Sequence, residues 1–245
     1  MLSAPVVAAL RAAALALPGT CVVCRDWHPS GVCDACLQRF APLQPRCGGC
    51  ARPLPVALPR CGACAAQAIA YRRCIAGADY AAPWDRLITD FKFHRRTDLA
   101  GGLAQVLQRA VQSAQAEPTP AWPTLLLPVP LARERLRERG YNQAWELARR
   151  LGRHLRIATT PALLQRSRDT AHQIGMTRAE RERNLRDAFW IEPSERVRLQ
   201  GRAVALIDDV LTTGATAHAA ALALTRAGAT AVDVWVVART PLGGE

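Results

Sequence analysis

Residues 203–216, AVALIDDVLTTGAT, constrain the fold more than any other part of the chain. An apolar run ends in two adjacent carboxylates, Asp208 and Asp209. The chain then turns through Thr212, Thr213, Gly214 and Ala215 into a helix beginning near Thr216. A continuous apolar run of this length reads as a strand buried on both faces, and such strands belong to parallel sheets. A second one, AVDVWVVA at 231–238, follows a helical stretch from Thr216 to Ala227 that Gly228 caps. Strand, helix and strand in that order imply parallel neighbours joined by a right-handed crossover. TLLLPV at 124–129 adds another buried strand, and an Arg- and Glu-rich turn and helix run from it to about residue 155. The expected class is α/β, with a Rossmann-type parallel sheet.

The turn has chemistry of its own. Amide N–H groups around a glycine-containing turn point inward, and a helix start adds positive potential, so a phosphate fits there. The hydroxyls of Thr212, Thr213 and Thr216 are further donors to the same anion. Two carboxylates are out of place in a plain phosphate cradle. They make sense if they accept hydrogen bonds from the 2′- and 3′-hydroxyls of a ribose held by its phosphate. The competing account is a Thr-capped turn with solvated acids at the strand end.

Upstream, a strand-like stretch from Tyr71 to Tyr80 leads into helices over Trp84–Phe93 and Leu99–Ala114. AEPTPAWP at 116–123 then breaks the pattern. Residues 18–66 differ in kind, holding eight of the nine cysteines as four Cys-x-x-Cys pairs: Cys21/Cys24, Cys33/Cys36, Cys47/Cys50 and Cys61/Cys64. Two such pairs complete one tetrahedral thiolate site, so two structural Zn²⁺ ions are expected. Sequential pairing is simplest, and an interleaved one remains open. Disulfides suit export, which the first seventeen residues do not support, because Arg11 sits inside the apolar stretch. This region has too few large apolar residues for its own core, so metal holds it together. Nucleic-acid contact and protein docking are both open for it. Cys74, in the strand-like stretch, reads as a small buried apolar residue. The expected organisation is an N-terminal helix and double zinc ribbon over 1–68 and an α/β domain over 69–245. No later window reaches membrane-spanning length without charge, which points to the cytoplasm.

Positive charge exceeds negative, 32 Lys and Arg against 20 Asp and Glu, for a net +12. Phosphate-bearing partners suit such a chain. The excess is local: residues 133–156 hold eight arginines against three glutamates. A single lysine, Lys92, interrupts the arginine usage.

The 203–216 segment resembles the signature loop of type I phosphoribosyltransferases. More narrowly, the whole chain is similar to the ComF family of late competence proteins, which are associated with DNA uptake. The resemblance is carried by the four cysteine pairs, FKFHRR at 91–96, LLPVPLARERLRERGYNQA at 126–144, TAHQIGMTRAERERNLRDAF at 170–189, and the loop. One departure is Phe93, where the family more often has tyrosine after the lysine.

The resemblance implies binding of phosphoribosyl diphosphate with Mg²⁺. Asp208, Asp209 and Arg137 would act in catalysis, and Thr212, Thr213, Gly214, Ala215 and Thr216 would hold the 5′-phosphate. Lys92, Arg133 and Arg139 would reach the diphosphate, and Gln173 and Arg181 would line a lid, with His172 a weaker acid–base candidate. For the arginines the competing reading is a solvated helix face paired with Glu134 and Glu138. Asn142 and Gln143 cap or bridge the loop. As an enzyme the protein would transfer ribose 5-phosphate to an acceptor that no pocket pattern identifies. The alternative is a non-catalytic phosphate-ligand and single-stranded-DNA binding component of the uptake machinery, cytoplasmic or peripheral to the inner membrane through its partners. Plain nucleic-acid binding with a vestigial loop fits the intact acids least.

Overall fold

The computed structural model describes residues 19–29, 31–56, 58–116, 121–166 and 188–241. The first seventeen residues and the charged 177–183 stretch fall outside them. The elements are α1 (Asp34–Phe40), a single turn α2 (Gly62–Ala65), β1 (Arg73–Asp79), α3 (Trp84–Phe93), α4 (Ala100–Gln115), β2 (Leu125–Pro128), α5 (Arg133–Arg139), α6 (Gln143–Leu155), β3 (Ala158–Thr159), β4 (Gln165–Arg166), β5 (Phe189–Trp190), β6 (Ala203–Leu211), α7 (Ala215–Arg226) and β7 (Ala231–Arg239). One five-stranded sheet runs β1-β7-β6-β2-β3 with every pairing parallel.

Strand periodicity sorts the apolar side chains onto two faces. Leu126, Ala205, Ile207, Trp235 and Val237 pack with α3, α4 and α6. Leu125, Leu127, Val204, Leu206, Val234 and Val236 pack with α7 and the antiparallel β4–β5 pair. Both faces are covered, which is why these strands are apolar at successive positions. Leu103, Val106, Leu107 and Val111 lie on the buried side of α4. Each such side chain contributes roughly 1.5–3 kcal/mol by leaving water. Gly77 on β1 admits α4 closely, since a Cβ there would lie 2.8 Å from the Val106 side chain and 2.9 Å from its carbonyl.

Three boundaries differ from the sequence reading. The stretch after β2 is two helices, because Gly140 ends α5 in a left-handed conformation (φ +82°) and Asn142 starts α6 anew. β6 continues past both aspartates to Leu211, since its pairing with β7 persists to Arg239. Consequently α7 starts at Ala215, directly after the turn.

The cysteine-rich region lies against the sheet's helical layer. Val32, Cys36, Leu37 and Ala41 join the core beneath α4. Gln105 of α4 accepts from the Val32 amide (2.8 Å) and donates to the Val32 carbonyl (3.0 Å). Arg109 donates to the carbonyls of Leu37 and Ala41, and the Trp84 indole to that of Phe40. Among the described residues no helix is long and apolar enough to cross a membrane.

Candidate functional site

β2 and β6 are neighbours, but their onward connections leave in opposite directions, to β3 and to β7. Such a divergence opens a crevice at the carboxyl ends of the two strands, where open α/β sheets bind ligands. The Thr212–Gly214 turn sits at that edge. Gly214 takes φ +82°, so the backbone calls for glycine, and a Cβ there would meet the Tyr71 hydroxyl at an ordinary contact distance of 3.4 Å. Thr213 Oγ1 accepts from the Ala215 amide (3.3 Å), while Gly214 itself supplies no side-chain cap to α7. The start of a twelve-residue helix therefore meets a cavity of about 50 Å³ lined by Val129, Asp208, Thr212, Gly214, Ala215 and Thr216. The first residues of the helix, two threonines and an aspartate therefore line one small space.

The two acids face opposite sides of the sheet, as period two requires of neighbours on a strand. Asp208 lines the cavity on the α7 side. Burial and the charge of Asp209 push its carboxyl up to about 7, against the opposing pull of the Asp209 amide, Lys92 and Arg166. Asp209 turns toward α3, where its Oδ1 pairs with Lys92 Nζ at 2.8 Å. Its Oδ2 is buried without a hydrogen-bond partner among the described residues, as is the Tyr141 hydroxyl. The opposite edge of the sheet shows what a fully paired buried acid looks like. There Asp233, with no exposure, accepts from Arg72 at both oxygens and from Arg73. The two buried acids thus differ in how fully their oxygens are paired.

The remaining predicted residues separate into groups. Asn142 accepts from the amides of Ala144 and Trp145 and donates to the Val129 carbonyl (3.1 Å), which fastens α6 to the end of β2. Arg139 bonds the buried Gln143 and stacks on Phe93, 5.3 Å from the ring centroid. Phe93 is 63% exposed. Arg133 and Arg137 lie on α5, which buries none of its residues. Gln173 and Arg181, with His172, lie outside the described residues. Sequence reasoning missed three residues. Tyr71 abuts the turn, Arg166 of β4 acts electrostatically on Asp208, and Arg239 bonds the carbonyl of Leu211 just before the turn. Arginines are frequent throughout the chain, so composition could not single out the last two.

The eight paired cysteines form two groups, Cys21/Cys24/Cys33/Cys36 and Cys47/Cys50/Cys61/Cys64, with the ligand atoms of each within 4.8 Å of one another. Pairing is sequential, and the interleaved alternative is excluded. Sulfur separations of 3.7 Å (Cys24–Cys33) and 3.8 Å (Cys50–Cys61) match the edge of about 3.8 Å that tetrahedral Zn–S bonds impose. Burial alone would raise the thiol of Cys21, but the amides of Cys33, Cys24 and Val23 outweigh it and bring it down to about 6. Cys47 reaches about 6 in the same way, through Cys61, Cys50 and Gly49. Four sulfurs and thiolate-stabilising amides fit Zn²⁺. Cys74 is buried outside both groups, and burial pushes its thiol up. Among the described residues no third group of His, Cys, Asp or Glu converges on a cation.

No family model matches the chain. Sequence relatives are clear. The DNA utilization protein YhgH of Escherichia coli K12 is 34% identical over 232 residues, covering 92% of this chain and 99% of its own. Competence protein F of Haemophilus influenzae is 33% identical over 222 residues, covering 89% and 96%. Among solved structures, the glutamine phosphoribosylpyrophosphate amidotransferase of B. subtilis superposes with a TM-score of 0.37 at 18% identity. The match covers 60% of this chain and 30% of that one, too loose a fit to add to what the sheet order shows.

Proposed function

Because the chain belongs to the ComF/YhgH family, we propose that it binds phosphoribosyl diphosphate, or another 5′-phosphorylated ribose, at the β6–α7 turn in the service of DNA uptake and use. The observation that carries this reading is the shared cavity of Asp208 and the α7 start. The amides and hydroxyls of Thr212–Thr216 take the 5′-phosphate. Asp208 accepts from the ribose hydroxyls, and its ionisation near neutral pH makes that acceptance pH-dependent. Asp209, on the other face of the sheet, holds Lys92 at the edge of the crevice. Arg133, Arg137 and Arg139, with Gln173 and Arg181, extend positive charge toward the diphosphate. Mg²⁺, when bound with the ligand, supplies charge neutralisation for a departing diphosphate.

Calorimetry with phosphoribosyl diphosphate and Mg²⁺ tests the reading. Asp208→Asn is expected to weaken binding at least about tenfold, the cost of one charge-assisted hydrogen bond. Equal affinity in both proteins removes Asp208 from the site. Diphosphate release on adding a panel of bases identifies a transferase, and binding without release identifies a sensor or scaffold. The second reading, a surface for single-stranded DNA, has its own support. Exposed Phe93 with Arg139 stacked on it stands beside the arginine-rich α5, a combination that suits stacked bases and a tracked backbone.

A further inference from the structure

Arg239 closes β7 and is only 3% exposed, yet no carboxylate pairs with it among the described residues. Its guanidinium binds oxygens that belong to two separate regions. Nε donates to the carbonyl of Cys50 at 2.8 Å. Nη1 donates to the carbonyl of Leu211 at 2.9 Å, and to the carbonyl and hydroxyl of Thr240 at 2.7 and 2.9 Å. Cys50 belongs to the second cysteine group, and Leu211 is the residue directly before the Thr212–Gly214 turn. The Leu211 carbonyl also accepts from the amide and hydroxyl of Thr240. One side chain thus joins a metal knuckle to the base of the ligand turn.

A buried guanidinium needs negative charge nearby. Four thiolates on one Zn²⁺ would carry a net charge of about −2, and the second cysteine group is where that charge would reside. Without the ion, the hydrogen-bond partners of the guanidinium are neutral carbonyl and hydroxyl oxygens. The adjoining segment reinforces the connection. The Ala70 amide donates to His218 Nδ1 in the first turns of α7, and Tyr71 closes on Gly214. The Cys74 amide reaches back to the Gly48 carbonyl between Cys47 and Cys50.

We infer that Arg239 is a positioning residue that locks the phosphate-binding turn to the second zinc cluster. Zinc in that cluster orders the turn, and a phosphate on the turn retains that zinc by thermodynamic reciprocity. The second half of this statement rests on the ligand reading given above; the first half does not.

Hydrogen–deuterium exchange on the full-length, zinc-loaded protein tests the ligand-independent half. In Arg239→Met the amides of Thr213–Ala215 should exchange at least about tenfold faster, as expected for losing a charge-assisted bond to a buried carbonyl. Amides around Val32 and in α6 should not change. Arg239→Lys keeps the charge and loses the fork, so it should fall between the two, and it carries the comparison if Arg239→Met does not fold. Unchanged exchange at the turn overturns the inference. Equal acceleration throughout β1, β6 and β7 also overturns it, since that is the mark of a general stability residue.

Equilibrium competition for zinc with a chromogenic chelator tests the other half. Ribose 5-phosphate should raise the zinc affinity of the second cluster by about tenfold and leave the first unchanged. Cys24→Ser, which cannot complete the first site, identifies which ion is which. An equal gain at both sites, or at neither while the ligand binds by calorimetry, rejects the reciprocity. Failure of ribose 5-phosphate to bind rejects the ligand reading, and the exchange result still decides the role of Arg239.

Discussion

The two cysteine clusters have the same ligand chemistry and similar spacing, and they are attached to the molecule in different ways. The first sits against α4, held by the reciprocal bonds of Gln105 with Val32 and by apolar packing, and Cys24 at its rim is exposed. In the second every cysteine is buried or half-buried, and its surroundings reach the carboxyl edge of the sheet through Cys50, Arg239 and Tyr71. Zinc ligation alone therefore does not define the role of a ribbon; the neighbours of its knuckles do. The first cluster anchors chain to a helix, whereas the second stands directly behind the Thr212–Gly214 turn.

Breaking one ligand in each cluster exposes that difference most strongly. Cys64→Ser should lower the zinc content by one ion, destabilise the fold by several kcal/mol and abolish calorimetric ligand binding. Cys24→Ser should also lose one ion, yet keep ligand affinity within about twofold, since its surroundings lead to α4 rather than the turn. Equal damage to binding from both substitutions would erase the distinction.

A smaller effect sharpens the first cluster's side of the comparison. Gln105→Ala removes both bonds to Val32 and should cost roughly 1–3 kcal/mol in denaturant unfolding, with binding at the turn intact. Loss of ligand affinity in this variant would show that α4 also communicates with the turn.

How these features stood in the sequence is uneven. The α3 limits, the parallel strands and the sequential cysteine pairs were legible, because apolar periodicity and ligand spacing are local properties. Gly214 was legible too, since a strand-to-helix turn with φ near +82° calls for glycine. The further reach of β6 was not. Asp208 and Asp209 read as a strand terminus, and only pairing with β7 carries the strand on to Leu211. Arg239 was invisible for the same reason. An arginine ending an apolar run looks solvated until a distant knuckle, that of Cys50, closes over it. Lys92 is a candidate for the diphosphate through the family resemblance, but its partner Asp209 depends on the packing of α3, which sequence does not encode locally.

The smallest expected effect concerns pH. Asp208 has a folded-state value near 7, above the usual carboxylate range, so the fold favours its protonated form. The unfolded chain holds fewer protons between about pH 4 and pH 7, and stability associated with this group is lost as pH rises through that window. Asp208→Asn should therefore raise the Tm of the ligand-free protein by a few degrees at pH 8, with a smaller gain at pH 5. Thermal unfolding at the two pH values measures it. An unchanged Tm at pH 8 would mean that Asp208 is solvated, and the cavity account of its environment would fail.

The most direct test of the account is a crystal structure of the zinc-loaded protein with ribose 5-phosphate. The account predicts the phosphate within hydrogen-bonding distance of the amides at the start of α7 and of the Thr212–Thr216 hydroxyls, with a ribose hydroxyl on Asp208. A sugar phosphate found on the arginines of α5, with the turn at Gly214 closed by Tyr71 or its amides facing away, would contradict it.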